Sequence, residues 1–108
     1  MRADEDDLDY DPDNYITLLN GEPFTGEGVE TDADGNILTL SNYVDGHEDG
    51  AQREWYSDGT RRSEGIVENG HPVGEWKQWH TNGQLAQIKT FGDHGKLLSH
   101  QRWTRTGP

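Results

Sequence analysis

The side chains of this chain that could do chemistry are carboxylates, imidazoles and indoles. Asp and Glu number 21 against 9 Lys and Arg, a net charge of −12, with 5 His, 4 Trp and no Cys. Adjacent carboxylates such as Glu48 and Asp49, or Asp6 and Asp7, are what general acid–base catalysis uses when a pocket sets two pKa values apart. In so acidic a chain, adjacency alone singles out none of them. His47, Glu48 and Asp49 have the ligand types of a zinc site. His47 and His71, however, stand 24 residues apart in the same column of a repeat, which projects them from successive loops rather than toward one ion. Gly26-Glu27-Gly28 lacks the third glycine, the Lys-Ser/Thr and the helix of a phosphate loop. No local motif for a Ser or Cys nucleophile is present. The expectation is a protein without catalytic residues, metal or cofactor, and so not an enzyme.

The elements that must position these groups are set by glycine. Gly35, Gly59, Gly83 and Gly107 recur at 24-residue steps, as do Gly26, Gly50 and Gly74, with Gly46 and Gly70 in a further series that Gly21 joins one residue out of phase. Trp55, Trp79 and Trp103 keep the same step, and so do Tyr43, Val67 and Phe91. A period of this length marks a repeat architecture. One corner of each unit reads Asp34-Gly35, Asp58-Gly59 or Asn82-Gly83, the other Asn20-Gly21, Asp45-Gly46 or Asn69-Gly70. Such pairs favour two-residue type I′ turns, in which both central residues need positive φ. The fold class expected is all-β: an elongated antiparallel meander of stacked hairpins, about seven strands, near residues 26–33, 36–43, 50–57, 60–67, 74–81, 84–91 and 98–105. Two-residue turns at both corners would pair Tyr56 with Arg61 and His80 with Leu85. That register would put Trp76, His80, Leu85 and Phe91 on one face and Trp79, Ala86 and Ile88 on the other, unless a bulge between Trp76 and Trp79 intervened.

Leu, Ile, Val and Phe make up only 18 of the 108 residues, so the core must be thin, aromatic and shared between stacked units. Residues 1–19 read as an acidic N-terminal arm and cap, mobile at its start, and residues 20–108 as the 24-residue repeats. Within the arm, Tyr15-Ile16-Thr17-Leu18-Leu19 is apolar enough to dock on the first hairpin and cover an exposed edge. The acids Asp6, Asp7, Asp9, Asp11 and Asp13 lie in the arm, whereas no acid follows Gly95, where Lys96, Arg102 and Arg105 stand. The chain is thus expected to be a dipole. Its charge repels phosphates and anionic lipid, which argues against direct nucleic-acid binding and against a membrane, and it attracts a basic partner. The absence of Cys, of a signal-peptide pattern and of any apolar run near the ~20 residues a membrane helix needs points to the cytoplasm.

The units resemble MORN-type repeats, and in particular the MORN variant of YwqK-like bacterial antitoxins. The likeness is clearest from Asn69-Gly70 through Gly74, Trp76 and Trp79 to Asn82-Gly83-Gln84-Leu85, and it recurs in Gly46, Gly50, Trp55, Tyr56, Asp58 and Gly59. The first and last units depart from it, with Thr31-Asp32 where the others carry Trp55-Tyr56 and Trp79-His80, and Leu98 in place of a glycine. The resemblance implies an antitoxin or immunity protein that binds and occludes a cognate toxin, with a non-enzymatic interaction scaffold as the alternative. The charge is consistent with a basic, nucleic-acid-targeting toxin domain. Trp76 shares its column with Gly28, Gln52 and His100, so the repeat does not require an aromatic there, and it is the expected anchor of an interface. The acids expected to meet the partner are Asp6, Asp7, Asp9, Asp11 and Asp13 of the arm and Glu54, Glu64 and Glu75 of the strands. Gly35, Gly59, Gly83, Gly46 and Gly70 are expected to be structural turn residues.

Overall fold

The computed structural model describes all of residues 1–108. Eleven strands form: β1 (Arg2–Asp4), β2 (Leu8–Asp11), β3 (Ile16–Leu19), β4 (Glu22–Pro23), β5 (Gly26–Thr31), β6 (Ile37–Val44), β7 (His47–Trp55), β8 (Arg61–Glu68), β9 (His71–Trp79), β10 (Leu85–Phe91) and β11 (Leu97–Arg102). The seven strands expected from the repeat are β5 to β11, in a sheet of order β1-β5-β6-β7-β8-β9-β10-β11, with β2-β3-β4 as a separate small sheet. Every pairing is antiparallel except β1 on β5. The molecule measures 46 × 38 × 20 Å, a slab little thicker than a sheet with one layer laid on it.

The two kinds of corner fold differently. At Asn20-Gly21, Asp45-Gly46 and Asn69-Gly70 both residues have positive φ, 53° and 83°, 50° and 85°, 49° and 82°. This is the expected type I′ turn. At Asp34-Gly35, Asp58-Gly59 and Asn82-Gly83 only the glycine is left-handed. There the loop is longer: Gly59 N–H donates to Tyr56 O at 2.9 Å and Tyr56 N–H to Thr60 O at 2.8 Å, the pattern of a type I turn closed by a glycine bulge. The Asp58 carboxylate accepts from the Thr60 N–H at 3.0 Å and its hydroxyl at 2.6 Å, and Asn82 Oδ1 accepts from Gln84 N–H at 3.0 Å. These side chains close the longer loop, which a type I′ turn could not accommodate.

The expected register is therefore corrected by one residue. Trp55, not Tyr56, faces Arg61, and Trp79, not His80, faces Leu85. Leu38, Arg62 and Ala86 are the extra residues of three bulges, themselves one repeat apart. Trp76 and Phe91 share a face as expected, but Leu85 joins Trp79 and Ile88 on the opposite one, Ala86 is a bulge residue, and His80 lies in the turn. His80 and Tyr56 instead link successive units. Tyr56 Oη donates to Trp79 O at 2.7 Å, and the His80 ring Nε2 lies 2.9 Å from Trp103 O. Asp32, the preceding member of the column, has no proton to donate, and its carboxylate binds the Asp34 and Asn36 N–H groups of its own loop at 2.9 Å each.

The start of the arm, expected to be mobile, is instead paired: β1 runs parallel to β5, the Glu27 N–H donates to Met1 O at 2.8 Å, and Arg2 forms an ion pair with Glu27 at 3.0 Å. The small sheet β2-β3-β4 then docks on the Asp45-Gly46 corner, where Thr17 N–H donates to Gly46 O and Gly46 N–H to Phe24 O, both at 2.8 Å. Phe24, 2% exposed, fills the junction with its ring 5.7 Å from that of Tyr43. With Val29, Tyr43, Val67 and Trp79 it makes up the buried apolar core, as thin and aromatic as the composition requires.

Candidate functional site

Side chains directly opposite one another across antiparallel strands point to the same face, so the pairings divide the acids of the sheet. One face, here the arm face, carries Glu30, Thr39, Ser41, Tyr43, Glu48, Gln52, Glu54, Ser63, Gly65 and Trp76, and ends in Lys89, His100 and Arg102. The far face carries Arg53 opposite Glu64 opposite Lys77, with Glu75 beside them. Glu64 also lies 4.0 Å from Arg61, whose guanidinium sits 4.3 Å from the Trp79 ring. The eight acids expected to meet a partner are thus not one surface. Glu54 shares the arm face with Trp76, whereas Glu64 and Glu75 are behind it, and Glu64 stands among three cations.

The arm supplies acids to its face, though not the ones expected. Asp6 and Asp7 form the exposed 3₁₀ turn Glu5–Asp7, while Asp9 and Asp13 are exposed on and after β2. The Asp11 carboxylate is spent on its own loop, accepting from the Asp13 N–H at 2.9 Å and the Asn14 side-chain amide at 2.8 Å. Those hydrogen bonds, the Asn14 amide foremost, hold it below the usual Asp range. Glu5 is the acid that reaches the sheet. With Leu8 it lies over Gly28, where any side chain would collide with them, and it accepts from Tyr43 Oη at 3.3 Å. Burial raises its pKa despite that hydrogen bond, and the like charges of Glu48, Glu30 and Asp4 raise it further. The Tyr43 hydroxyl is pushed up too, by burial first and then by Glu5 and Glu48.

Trp76 is half-buried and held in place. Its ring lies on Gly65, where a Cβ would overlap the indole, and its Nε1 donates to Ile66 O at 3.0 Å. Beside it opens a cavity of about 260 Å³ whose lining includes Ser41, Glu48, Gln52, Glu54 and Ser63. Glu54 accepts from Ser63 Oγ at 2.6 Å and has no cation within ion-pair distance, since the ion pairs of the chain are Arg2 with Glu27 and Arg61 with Glu64. Sequence reasoning passed over Glu5, Glu30 and Gly65 and weighed Glu48 only in a carboxylate pair with Asp49 and as a zinc ligand type beside His47. Gly65 carried a usable signal, because it stands outside every glycine column. Glu5 and Glu30 carried none, since their proximity depends on where the arm lands.

No three His, Asp or Glu side chains come together as metal ligands. Neither is any helix long and apolar enough to cross a membrane. At the β11 end, partial desolvation at the sheet surface and the positive charges of Arg102 and Lys89 lower the pKa of His100, whose Nε2 lies 2.9 Å from Gln87 Oε1.

Residues 72–93, which run from β9 through the Asn82-Gly83 corner to the end of β10, match the MORN repeat variant family. The matched segment holds Gly74, Trp76, Trp79 and Gly83, so the repeat read from the glycine spacing is similar there to a MORN variant. No curated protein and no solved structure matches the chain.

Proposed function

We propose that this chain, a repeat protein carrying a MORN variant, is a non-enzymatic antitoxin or immunity protein that binds a basic toxin domain and occludes its active site. The observation that carries the reading is the gathering of Glu5, Glu30, Glu48 and Glu54 on the face that presents Trp76, with no Lys or Arg within ion-pair distance of them. Like-charged carboxylates packed together cost stability, and a cationic partner relieves that cost. A net charge of −12 steers such a partner over distances longer than any contact. A toxin that acts on nucleic acid needs a basic cleft, and this face is its electrostatic complement.

The test is co-expression with the protein encoded beside this one, followed by purification and a growth assay. Rescue of growth together with a stable complex supports the reading; a toxic neighbour that is neither bound nor neutralised overturns it. Association with the purified partner is expected to slow about tenfold or more from low to high salt, and an on-rate flat in salt would remove the steering argument.

The second reading, an interaction module without a toxin, is favoured by the MORN match at residues 72–93. A harmless neighbour that nevertheless co-purifies in a stoichiometric complex would select it.

A further inference from the structure

We infer that the cavity between Trp76 and Glu54 on the arm face is a receptor for an arginine side chain of the partner. The inference rests on the reading of a basic partner and deepens it by naming where one cation goes. Three features converge. First, the indole of Trp76 is fixed, by Gly65 beneath it and by the Nε1 hydrogen bond to Ile66 O at 3.0 Å. A fixed indole at the border of a cavity offers a platform for a stacked guanidinium, because the π face is the negative part of the ring quadrupole.

Second, Glu54 lines the same cavity and is half satisfied. Ser63 Oγ holds Oε1 at 2.6 Å and so fixes the carboxylate, while Oε2 accepts nothing from the protein. A carboxylate with one oxygen anchored and one free can take a guanidinium N–H without losing the geometry that holds it. Third, the rest of the lining includes Ser41, Gln52 and Ser63, whose oxygens accept hydrogen bonds, and a second carboxylate, Glu48, with Arg53 at the border. Arg53 borders the cavity but pairs with Glu64 on the opposite face, as Lys77 does, and Lys89, across from Trp76 on the arm face, makes no ion pair with Glu54. The Glu54 charge is thus left without a cation of the chain. The volume of about 260 Å³ admits a single long side chain, not a folded segment. Arginine is favoured over lysine because its flat, weakly hydrated head can stack and form hydrogen bonds in the same plane.

The probe is the capped peptide acetyl-Gly-Arg-Gly-amide, titrated into the isotopically labelled full chain and followed by the indole N–H resonances. The expected result is a saturable shift of the Trp76 signal, weaker with the lysine peptide. Glu54→Gln keeps the shape and the Ser63 contact, and it should weaken binding at least about fivefold, as losing a charge-assisted hydrogen bond implies. Glu64→Gln removes the same charge from the far face and should leave binding unchanged. Equal weakening by both variants, or shifts confined to Asp6, Asp7 and Asp9 with Trp76 unmoved, would mean diffuse attraction and would overturn the site. Because the peptide needs no toxin, a failed titration beside a successful co-expression rescue rejects the receptor alone, and the reverse pattern rejects the antitoxin reading alone.

Discussion

At the β1 end of the sheet, Phe24 is 2% exposed against Tyr43, the arm closes over Gly28, and β3 is hydrogen-bonded into the Gly46 corner. At the β11 end, all six residues from Leu97 to Arg102 are exposed. Both ends face the same problem, an edge strand with unpaired N–H and C=O groups. The first end solves it by pairing β5 with β1, which leaves an outer edge only three residues long. The second solves it by chemistry, with His100, Arg102 and, just before the strand, Lys96 on a segment free of acids. In an array whose units touch only their neighbours, stability is a sum of local terms. It should therefore decline from the capped end toward the open one, with Glu5, Glu30, Glu48 and Glu54 of the arm face on the firm half.

The largest effect that would sharpen this contrast is at Phe24. Truncation to Ala removes a fully buried ring and is expected to cost about 3–5 kcal/mol, whereas Leu98→Ala, at a residue 62% exposed, should stay within about 0.5 kcal/mol. Urea unfolding measures both. Similar losses at the two sites would erase the distinction between the ends.

Next come two glycines with the same backbone and different surroundings. Gly46 has φ +85°, and a Cβ there would sit 2.9 Å from Thr17 O and from the Ile16 Cβ; Gly59 has φ +88° and open space around it. Gly59→Ala should cost only the left-handed conformation, about 1 kcal/mol. Gly46→Ala should cost more than that and also lift the arm from the sheet. Hydrogen exchange would report the second effect as lost protection in β2 and β3 with β8 to β10 unchanged.

How much of this was legible in the sequence follows from the range of each interaction. The seven repeat strands were legible because glycine at fixed steps is a local requirement of the backbone, and of the two columns Tyr43, Val67 and Trp79 are buried while Trp55, Phe91 and Trp103 are half-buried. The corner at Asp58-Gly59 was half legible. Its dipeptide signals a reversal, but the choice between two loop types depends on Tyr56, Ser57 and Thr60 and on the Asp58 carboxylate that closes the longer loop. One extra residue there moves the register and reassigns Leu85 to the other face. The arm reads as docking on the edge through Tyr15 to Leu19, but the strand on the β5 edge is β1, while Ile16 to Leu19 sit at the Gly46 corner. No local pattern marks β1, because it is three residues long and pairs with residues about 25 positions away. At the candidate site, Trp76 was singled out as off-pattern, yet its seat on Gly65 and the separation of Glu54 from Glu64 follow only from pairings across the sheet.

A smaller effect concerns the links between units. Tyr56→Phe removes the hydrogen bond to Trp79 O at 2.7 Å and keeps the ring, so about 1 kcal/mol should be lost. Hydrogen exchange is expected to rise in the loop after β9 before it rises in β5 or β6. An even rise across the sheet would show that the array unfolds as one unit and would break the gradient.

The smallest effect is electrostatic and belongs to the capped end alone. The pKa of Glu5 is raised above 4.5 in the folded chain, by burial first and then by its acidic neighbours. Between its unfolded and folded values the native state binds more protons than the unfolded state, so stability falls as pH rises through that window and recovers on acidification. Asp32 and Asp58, in the open loops, behave in the opposite sense: their loop hydrogen bonds lower their pKa values, and the stability they give is present above 3.8 and lost as pH falls through the folded value. Glu5→Gln removes a partly buried charge and keeps a polar group for the Tyr43 hydroxyl. The variant should therefore melt higher than the parent at neutral pH, with the difference shrinking toward pH 4.5 as the parent Glu5 takes up its proton. A variant no more stable than the parent at neutral pH would mean that the arm does not hold Glu5 against the sheet, and the acidic face would then lose the one residue the arm gives it.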